Sequence, residues 1–129
     1  MKNRILLIED DVETIDLYKL NLEKAGFKLE IIKWGKEALE RVEKIGTIGD
    51  QKPDLILLDI ILPDINGIHV LEKIRDKKET SDIPVLILTN YSNSKTEEAS
   101  SRLNAQGYFI KTNHTPKEII RIIQKILRK

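Results

Sequence analysis

Three short runs constrain the fold more than anything else in the chain: Ile5-Leu6-Leu7-Ile8, Leu55-Ile56-Leu57-Leu58 and Val85-Leu86-Ile87-Leu88. Each is apolar at every position, so it has no face to give to water, and each is too short to be a helix. Strands buried on both sides are the mark of a parallel sheet covered by helices on each face. Lys28 to Lys33 (KLEIIK) reads as a more amphipathic strand, and Gly107 to Ile110 (GYFI) as a short fifth.

Helical patterns fill the intervals. Val12, Ile15, Leu20 and Leu22 form an apolar stripe that stops at Ala25-Gly26, where glycine terminates a first helix. Ala38, Leu39 and Val42 mark a second helix ending near Gly46, and Ile68, Val70, Leu71 and Ile74 a third. Glu97 to Ala105 predicts a weakly apolar fourth, lying largely at the surface. Thr115-Pro116-Lys117-Glu118 is a capping box with proline at the first helical position. Behind it Ile119, Ile122, Ile123, Ile126 and Leu127 follow as the core-facing stripe of a fifth. The chain thus reads as an α/β protein, (βα)5, and right-handed crossovers make it a doubly wound five-stranded parallel sheet. Its 129 residues fit one domain, 1–129, with GTIGDQKP (Gly46 to Pro53) as an internal polar loop.

Composition removes several classes. A formal net charge of +1 gives no bias towards nucleic acid or membrane. The absence of cysteine excludes a disulfide framework, a thiolate metal site and a thiol nucleophile, and it fits a reducing compartment. The start, MKNRILLIEDD, lacks the longer apolar region and small-residue cleavage site of a signal peptide. No stretch approaches the roughly 20 apolar residues of a transmembrane helix. The expected location is cytoplasmic, with no nucleic acid and no membrane among the partners.

In open parallel sheets ligands bind beyond the carboxyl ends of the strands. Those ends carry Glu9-Asp10-Asp11, Lys33-Trp34-Gly35, Asp59, Thr89-Asn90 and Lys111. Crowded carboxylates raise one another's pKa unless a cation is present. A hard divalent ion with oxygen ligands and retained waters meets that need; Mg²⁺ fits best, with Mn²⁺ as the alternative. Lys111 adds a fixed charge and Thr89 a neutral donor, a set suited to a phosphoryl group. A carboxylate beside the metal could attack phosphorus and form an aspartyl phosphate.

Each residue alone has a plainer reading. The acidic run could cap the first helix, and Asp11 is assigned to that cap only. Asp59 could be a strand terminus, Thr89 a β-branched strand residue, Lys111 a surface lysine and Tyr108 half-buried packing. His69 and His114 share no ligand spacing and are taken as structural or solvated. The basic end, Arg121 to Lys129, reads as a solvated face that compensates a helix dipole.

Taken in order on successive strand ends, ILLIEDD, LILLDIILPDING, PVLILTN and GYFIK make the chain resemble the receiver domains of two-component response regulators over essentially its whole length. The resemblance implies a flavodoxin-like sheet of strand order 2-1-3-4-5. It implies a phosphorylation-dependent switch or phosphorelay carrier, with Asp59 accepting a phosphoryl group from a sensor histidine kinase or a histidine phosphotransfer protein. Glu9, Asp10, Asp59 and the main-chain carbonyl of Ile61 would hold Mg²⁺. Thr89 would bond a phosphoryl oxygen, Lys111 would pair with the phosphate, and Tyr108 would be the switch aromatic that turns inward as Thr89 is drawn to it. The added charge, about −1.5 to −2, would bias the fourth helix, fifth strand and fifth helix between two arrangements. A downstream protein would read that face, and homodimerisation on phosphorylation is another outcome. No attached effector is expected, because the fifth helix reaches the end of the chain. Catalysis would be limited to the domain's own phosphorylation and dephosphorylation, so the chain is not expected to be an enzyme.

Several positions depart from the family's pattern. The residue after its lysine is usually a cis proline; here it is Thr112, and a cis non-proline bond costs about 2.5–4 kcal/mol. The aim of Lys111 is therefore left open. Asn90 replaces a small residue after Thr89. Ile61 and Tyr91 occupy variable positions flanking the phosphoryl site and carry no acid or amide to orient water, which predicts a long-lived phosphorylated form. Trp34 stands where a small polar turn residue is usual, without an assigned role. Two rivals stay open: a phosphorylation-independent interaction module, and a Mg²⁺-dependent aspartate-nucleophile phosphohydrolase. The latter needs a second acid where Ile61 sits.

Overall fold

Backbone pairing puts the all-apolar runs in the middle of one sheet. The computed structural model describes residues 2–128, so Lys129, the last residue of the basic end, lies outside them. The elements alternate: β1 (Arg4–Ile8), α1 (Val12–Lys24), β2 (Lys28–Ile32), α2 (Gly35–Lys44), β3 (Leu55–Leu58), α3 (Gly67–Asp76), β4 (Val85–Thr89), α4 (Ser94–Arg102), β5 (Gly107–Ile110) and α5 (Pro116–Leu127). The strands form a single five-stranded sheet in the order β2-β1-β3-β4-β5, as expected, and every pair is parallel.

Successive strand residues point to opposite faces, and each face has its own core. Leu6, Ile8, Ile56, Leu58, Val85 and Ile87 pack with Ala38 and Val42 of α2 and with Val70, Leu71 and Ile74 of α3. Ile5, Leu7, Leu55, Leu57, Leu86 and Leu88 pack with Ile15, Tyr18 and Leu22 of α1 and with Ile119, Ile120 and Ile123 of α5. Each fully buried Leu or Ile contributes about 1.5–3 kcal/mol. A register slip of one residue would exchange the two sets between cores of different shape.

Register also levels the strand ends. Ile8 pairs with both Ile32 and Leu58, Leu58 with Ile87, and Thr89 with Ile110. Glu9, Asp59 and Lys111 are each the first residue past their strand, so they meet along one edge.

Two local expectations are corrected and a third is extended. The inward stripe of α1 is Ile15, Tyr18 and Leu22, whereas Val12 and Leu20 are 59% and 61% exposed. Residues two apart lie about 200° apart on a helix, so Leu20 and Leu22 cannot share a face. Helix α4 starts at Ser94, capped by the Asn93 side chain, and ends at Arg102. It is displaced towards the N-terminus from the expected span because it buries Thr96 and Ser100, which apolar periodicity cannot reveal. Helix α5 buries Ile120 as well as Ile119 and Ile123, while Ile122, Ile126 and Leu127 pack at the margin. Its capping box is complete: Thr115 accepts from the Glu118 N–H, and Glu118 accepts from the Thr115 N–H.

Candidate functional site

The β1 and β3 ends deliver two buried carboxylates to one point. Glu9 is 1% exposed, and its main-chain N–H donates to Ile32 O at 2.9 Å. Asp59 is 6% exposed, and its N–H donates to Ile8 O at 3.0 Å. From β5 the Lys111 ammonium lies 2.8 Å from Glu9 Oε1 and 3.0 Å from Asp59 Oδ2. The remaining oxygens are held from the main chain: the Asp11 N–H donates to Glu9 Oε2 at 3.1 Å and the Ile61 N–H to Asp59 Oδ1 at 3.1 Å. No cis peptide occurs among the described residues, so the Lys111-Thr112 bond is trans. The chain leaves β5 through a 3₁₀ turn, Lys111–Asn113, and the ammonium reaches both carboxylates on that path.

Asp10 is exposed, yet one carboxylate oxygen from each of Glu9, Asp10 and Asp59 lies within 4.8 Å of the others. Mg²⁺–oxygen bonds are about 2.0–2.1 Å, so ligands on opposite sides of the ion stand about 4.2 Å apart. Neighbouring ligands on the octahedron stand about 2.9 Å apart, so the three oxygens are grouped around one point and draw inward to meet the ion. Three carboxylates facing one ammonium also leave negative charge for a hard cation to neutralise. The donor set fits Mg²⁺.

Burial first, and the nearby Asp59 charge second, push the Glu9 carboxyl from 4.5 up to about 7, with Lys111 opposing them. Burial pulls the Lys111 ammonium down, but its hydrogen bond to Glu9 and the charges of Asp59 and Glu9 outweigh this and hold it above the usual lysine value. Between about 4.5 and 7 the folded protein keeps a proton on Glu9 that the unfolded chain has already lost. Metal-free stability therefore falls as pH rises through that window. At about 1.36 kcal/mol per pKa unit the loss is on the order of 1–3 kcal/mol. Asp11, Asp64 and Glu118 have lowered pKa values, so they titrate below the window. Thermal melts in a chelator should show Tm falling from pH 5 to pH 8, and millimolar Mg²⁺ should flatten the slope; a metal-free Tm that rises with pH would contradict this.

Thr89 is fully buried, and its Oγ1 accepts the Tyr91 N–H at 3.2 Å. The Tyr108 hydroxyl donates to Tyr91 O at 2.5 Å, so the main chain of Tyr91 joins the two side chains. Burial, followed by the Glu97 charge, pushes the Tyr108 hydroxyl up to about 12. Asp10, Asp59, Ile61, Thr89, Tyr91 and Lys111 line one open cleft of about 500 Å³. Ile61, 51% exposed, and Tyr91 stand at its apolar mouth.

Asp11 borders the cleft, but its carboxylate caps α1, accepting the Thr14 N–H at 3.0 Å. Other candidates lie outside the cleft. His69 pairs with Glu72 at 3.2 Å, and His114 meets Phe109 edge-on at 5.2 Å. Trp34, at the N-cap of α2, makes no side-chain capping bond and is half exposed. Sequence reasoning missed Asp64, whose carboxylate accepts the Gly35 and Lys36 N–H groups across the turn.

The sheet order, the levelled strand ends and the carboxylate–lysine cluster together define a receiver-type α/β domain. The family model for the response regulator receiver domain matches residues 5–124, and the chain belongs to that family. It is 32% identical over 129 residues to the alkaline phosphatase synthesis transcriptional regulatory protein PhoP of Bacillus subtilis (strain 168), covering 100% of this chain and 50% of that protein. The chain thus spans about half the length of that curated relative. The crystal structure of a CheY-like response regulator receiver domain protein from Methanospirillum hungatei JF-1 superposes with a TM-score of 0.86 at 28% identity, covering 98% of this chain and 94% of that one. The Mn²⁺-bound form of response regulator Rcp1 gives a TM-score of 0.81 at 30% identity, covering 96% and 91%. Among the described residues, no helix is long and apolar enough to cross a membrane.

Proposed function

We propose that residues 1–129 act as one phosphoacceptor unit in which Asp59 receives the phosphoryl group. The observation that carries this is the Lys111 ammonium held on both Glu9 and Asp59, with an Asp10 oxygen within 4.8 Å of theirs. An Asp59 oxygen forms the O–P bond as the N–P bond to a donor imidazole breaks, and the imidazole leaves with a proton. Lys111 moves with the new phosphoryl oxygens and offsets their charge. The Thr89 hydroxyl donates to another of them, and the apolar mouth at Ile61 and Tyr91 excludes water. Glu9, Asp10, Asp59 and the Ile61 carbonyl hold Mg²⁺ in this reading. When bound, the ion neutralises the carboxylates and the developing phosphoryl charge. The Mn²⁺-bound Rcp1 supports a divalent cation here.

Drawing Thr89 towards the phosphate removes the acceptor of the Tyr91 N–H, and the Tyr91 carbonyl bonded to Tyr108 must adjust with it. The signal thus passes from Thr89 to Tyr108 through two main-chain hydrogen bonds. It reaches the α4-β5-α5 face, which a downstream protein would read. The phosphodonor is a sensor histidine kinase or a histidine phosphotransfer protein, and the site of action is the cytoplasm.

Acetyl phosphate with Mg²⁺, read by intact mass, tests the function. A stable adduct of about 80 Da, one phosphoryl group, is the expected result; turnover of small phosphate esters would favour a phosphohydrolase, and no adduct a bare interaction module. After donor removal the adduct should outlast seconds. Ile61→Asn places an amide where water can be oriented, and it should shorten the lifetime about tenfold, equivalent to roughly 1.4 kcal/mol in the barrier. Equal lifetimes would remove Ile61 from this role.

A further inference from the structure

Helix α2 has no cap of its own. Trp34 at its N-cap cannot accept a hydrogen bond from the first turn, and the role passes to Asp64, 28 to 29 residues away. Asp64 Oδ1 accepts the Gly35 N–H at 2.7 Å and Oδ2 accepts the Lys36 N–H at 2.9 Å. The approach is close enough to require glycine: a Cβ on Gly35 would lie 2.2 Å from Ile65 Cγ1 and 3.1 Å from Asp64 Oδ1. Asp64 sits at the tip of the loop that runs from Asp59 to Gly67.

The near end of that loop is also fixed. The Ile61 N–H donates to Asp59 Oδ1 at 3.1 Å, and the Gly67 N–H donates to Ile60 O at 2.7 Å. A Cβ on Gly67 would fall 2.3 Å from Asp59 O, so the loop closes on itself at its base. Ile61 also bridges to Asn66 across the loop. Ile61 therefore lies in a short closed excursion tied at the base to Asp59 and at the tip, through Asp64, to α2.

We infer that Asp64 is a positioning residue for the cation site: by anchoring the loop to the first turn of α2 it fixes the Ile61 main chain against the carboxylates. The inference rests on the reading of the Ile61 carbonyl as a metal ligand. Its physical basis is a population argument. A loop that samples other conformations presents its carbonyl only part of the time, and apparent affinity falls by that fraction. Asp64 lies outside the cleft and touches no carboxylate of the cluster, so its influence must pass through the backbone.

Titration calorimetry with MgCl2, run beside thermal melts, tests this in five proteins: wild type, Asp64→Ala, Asp64→Asn, Trp34→Ser and the double variant Asp64→Ala/Trp34→Ser. Serine at position 34 supplies a local cap, so the double variant separates helix capping from loop tethering. Asp64→Ala should lose thermal stability and bind Mg²⁺ about five- to tenfold more weakly, the competent fraction having fallen to that extent. The double variant should regain stability yet bind Mg²⁺ as weakly as Asp64→Ala. Asp64→Asn loses the same charge and one of the two acceptor oxygens but keeps the other, and it should fall between wild type and Asp64→Ala. Wild-type affinity in the double variant, or equal weakening in Asn and Ala, would overturn the proposal; the second result would mean that charge alone acts. The carbonyl ¹³C shift of Ile61 on Mg²⁺ saturation of the wild type tests the ligand reading separately. If that shift moves and the double variant binds normally, Asp64 is wrong and the ligand stands. If it does not move, the ligand reading itself fails.

Discussion

Replacing Asp59 with asparagine is expected to abolish the phosphoryl adduct and, in the same protein, to raise the Tm of the metal-free fold. The first effect follows from chemistry, since an amide offers no carboxylate oxygen to phosphorus. The second follows from the crowding of the site. Asp59 helps to push the Glu9 carboxyl up to about 7, and both acids share one ammonium. Removing one of them leaves Lys111 to Glu9 alone and relieves that repulsion. A gain of about 3 °C is expected for a chain of this size, corresponding to roughly 1 kcal/mol. Mg²⁺ should then stabilise Asp59→Asn less than wild type, because one of the three candidate carboxylate ligands is gone. Intact mass after acetyl phosphate treatment, with melts in chelator and in Mg²⁺, checks both. A variant that still takes up the phosphoryl group would remove Asp59 from the role.

Lys111→Met should act in the opposite direction on stability. The lysine is the single cation within 4 Å of Glu9 and Asp59 among the described residues, and its side chain is itself largely buried. Removing one partner of a buried pair leaves an uncompensated charge at a cost of roughly 3–5 kcal/mol. Protonation of Glu9 absorbs part of this, so a fall in Tm of about 10 °C is expected at pH 8, and less at pH 5.5. Mg²⁺ should recover more stability in this variant than in wild type, because the ion takes over the missing charge. Phosphorylation should nevertheless slow on the order of a hundredfold, the cost of losing one preorganised partner of the transferring group. An unchanged Tm together with an unchanged Mg²⁺ response would show that the buried pairing contributes nothing.

These opposite signs for Asp59 and Lys111 depend on contacts the sequence could only imply. The alignment of acids and lysine was legible because doubly buried strands must be all apolar, so the first polar residue after each run marks a strand end. That reasoning placed Glu9, Asp59, Thr89 and Lys111 on one edge without any distance being known. The aim of Lys111 was not legible: with Thr112 following it, only the turn at Lys111–Asn113 shows that the ammonium reaches both carboxylates. The phase of α1 was misread because Val12 and Leu20 are apolar yet exposed, while Tyr18, which carries a hydroxyl, is buried. Helix α4 was displaced because its buried positions are Thr96 and Ser100. Asp64 lay within a quoted motif but looked like a turn residue. Its partners stand 28 and 29 positions earlier, and no periodicity connects them.

The central claim is that the phosphoryl group sits on the Asp59 carboxylate and nowhere else in the cluster. An acyl phosphate is reduced by borohydride, with loss of phosphate, to the corresponding alcohol, so a phosphorylated aspartate becomes homoserine. Treating the acetyl phosphate adduct in this way and mapping the peptides by mass spectrometry locates the modified residue directly. Homoserine at position 59 alone is predicted. Homoserine at Asp10 or Asp64, or phosphate retained on Thr89 after reduction, would contradict it.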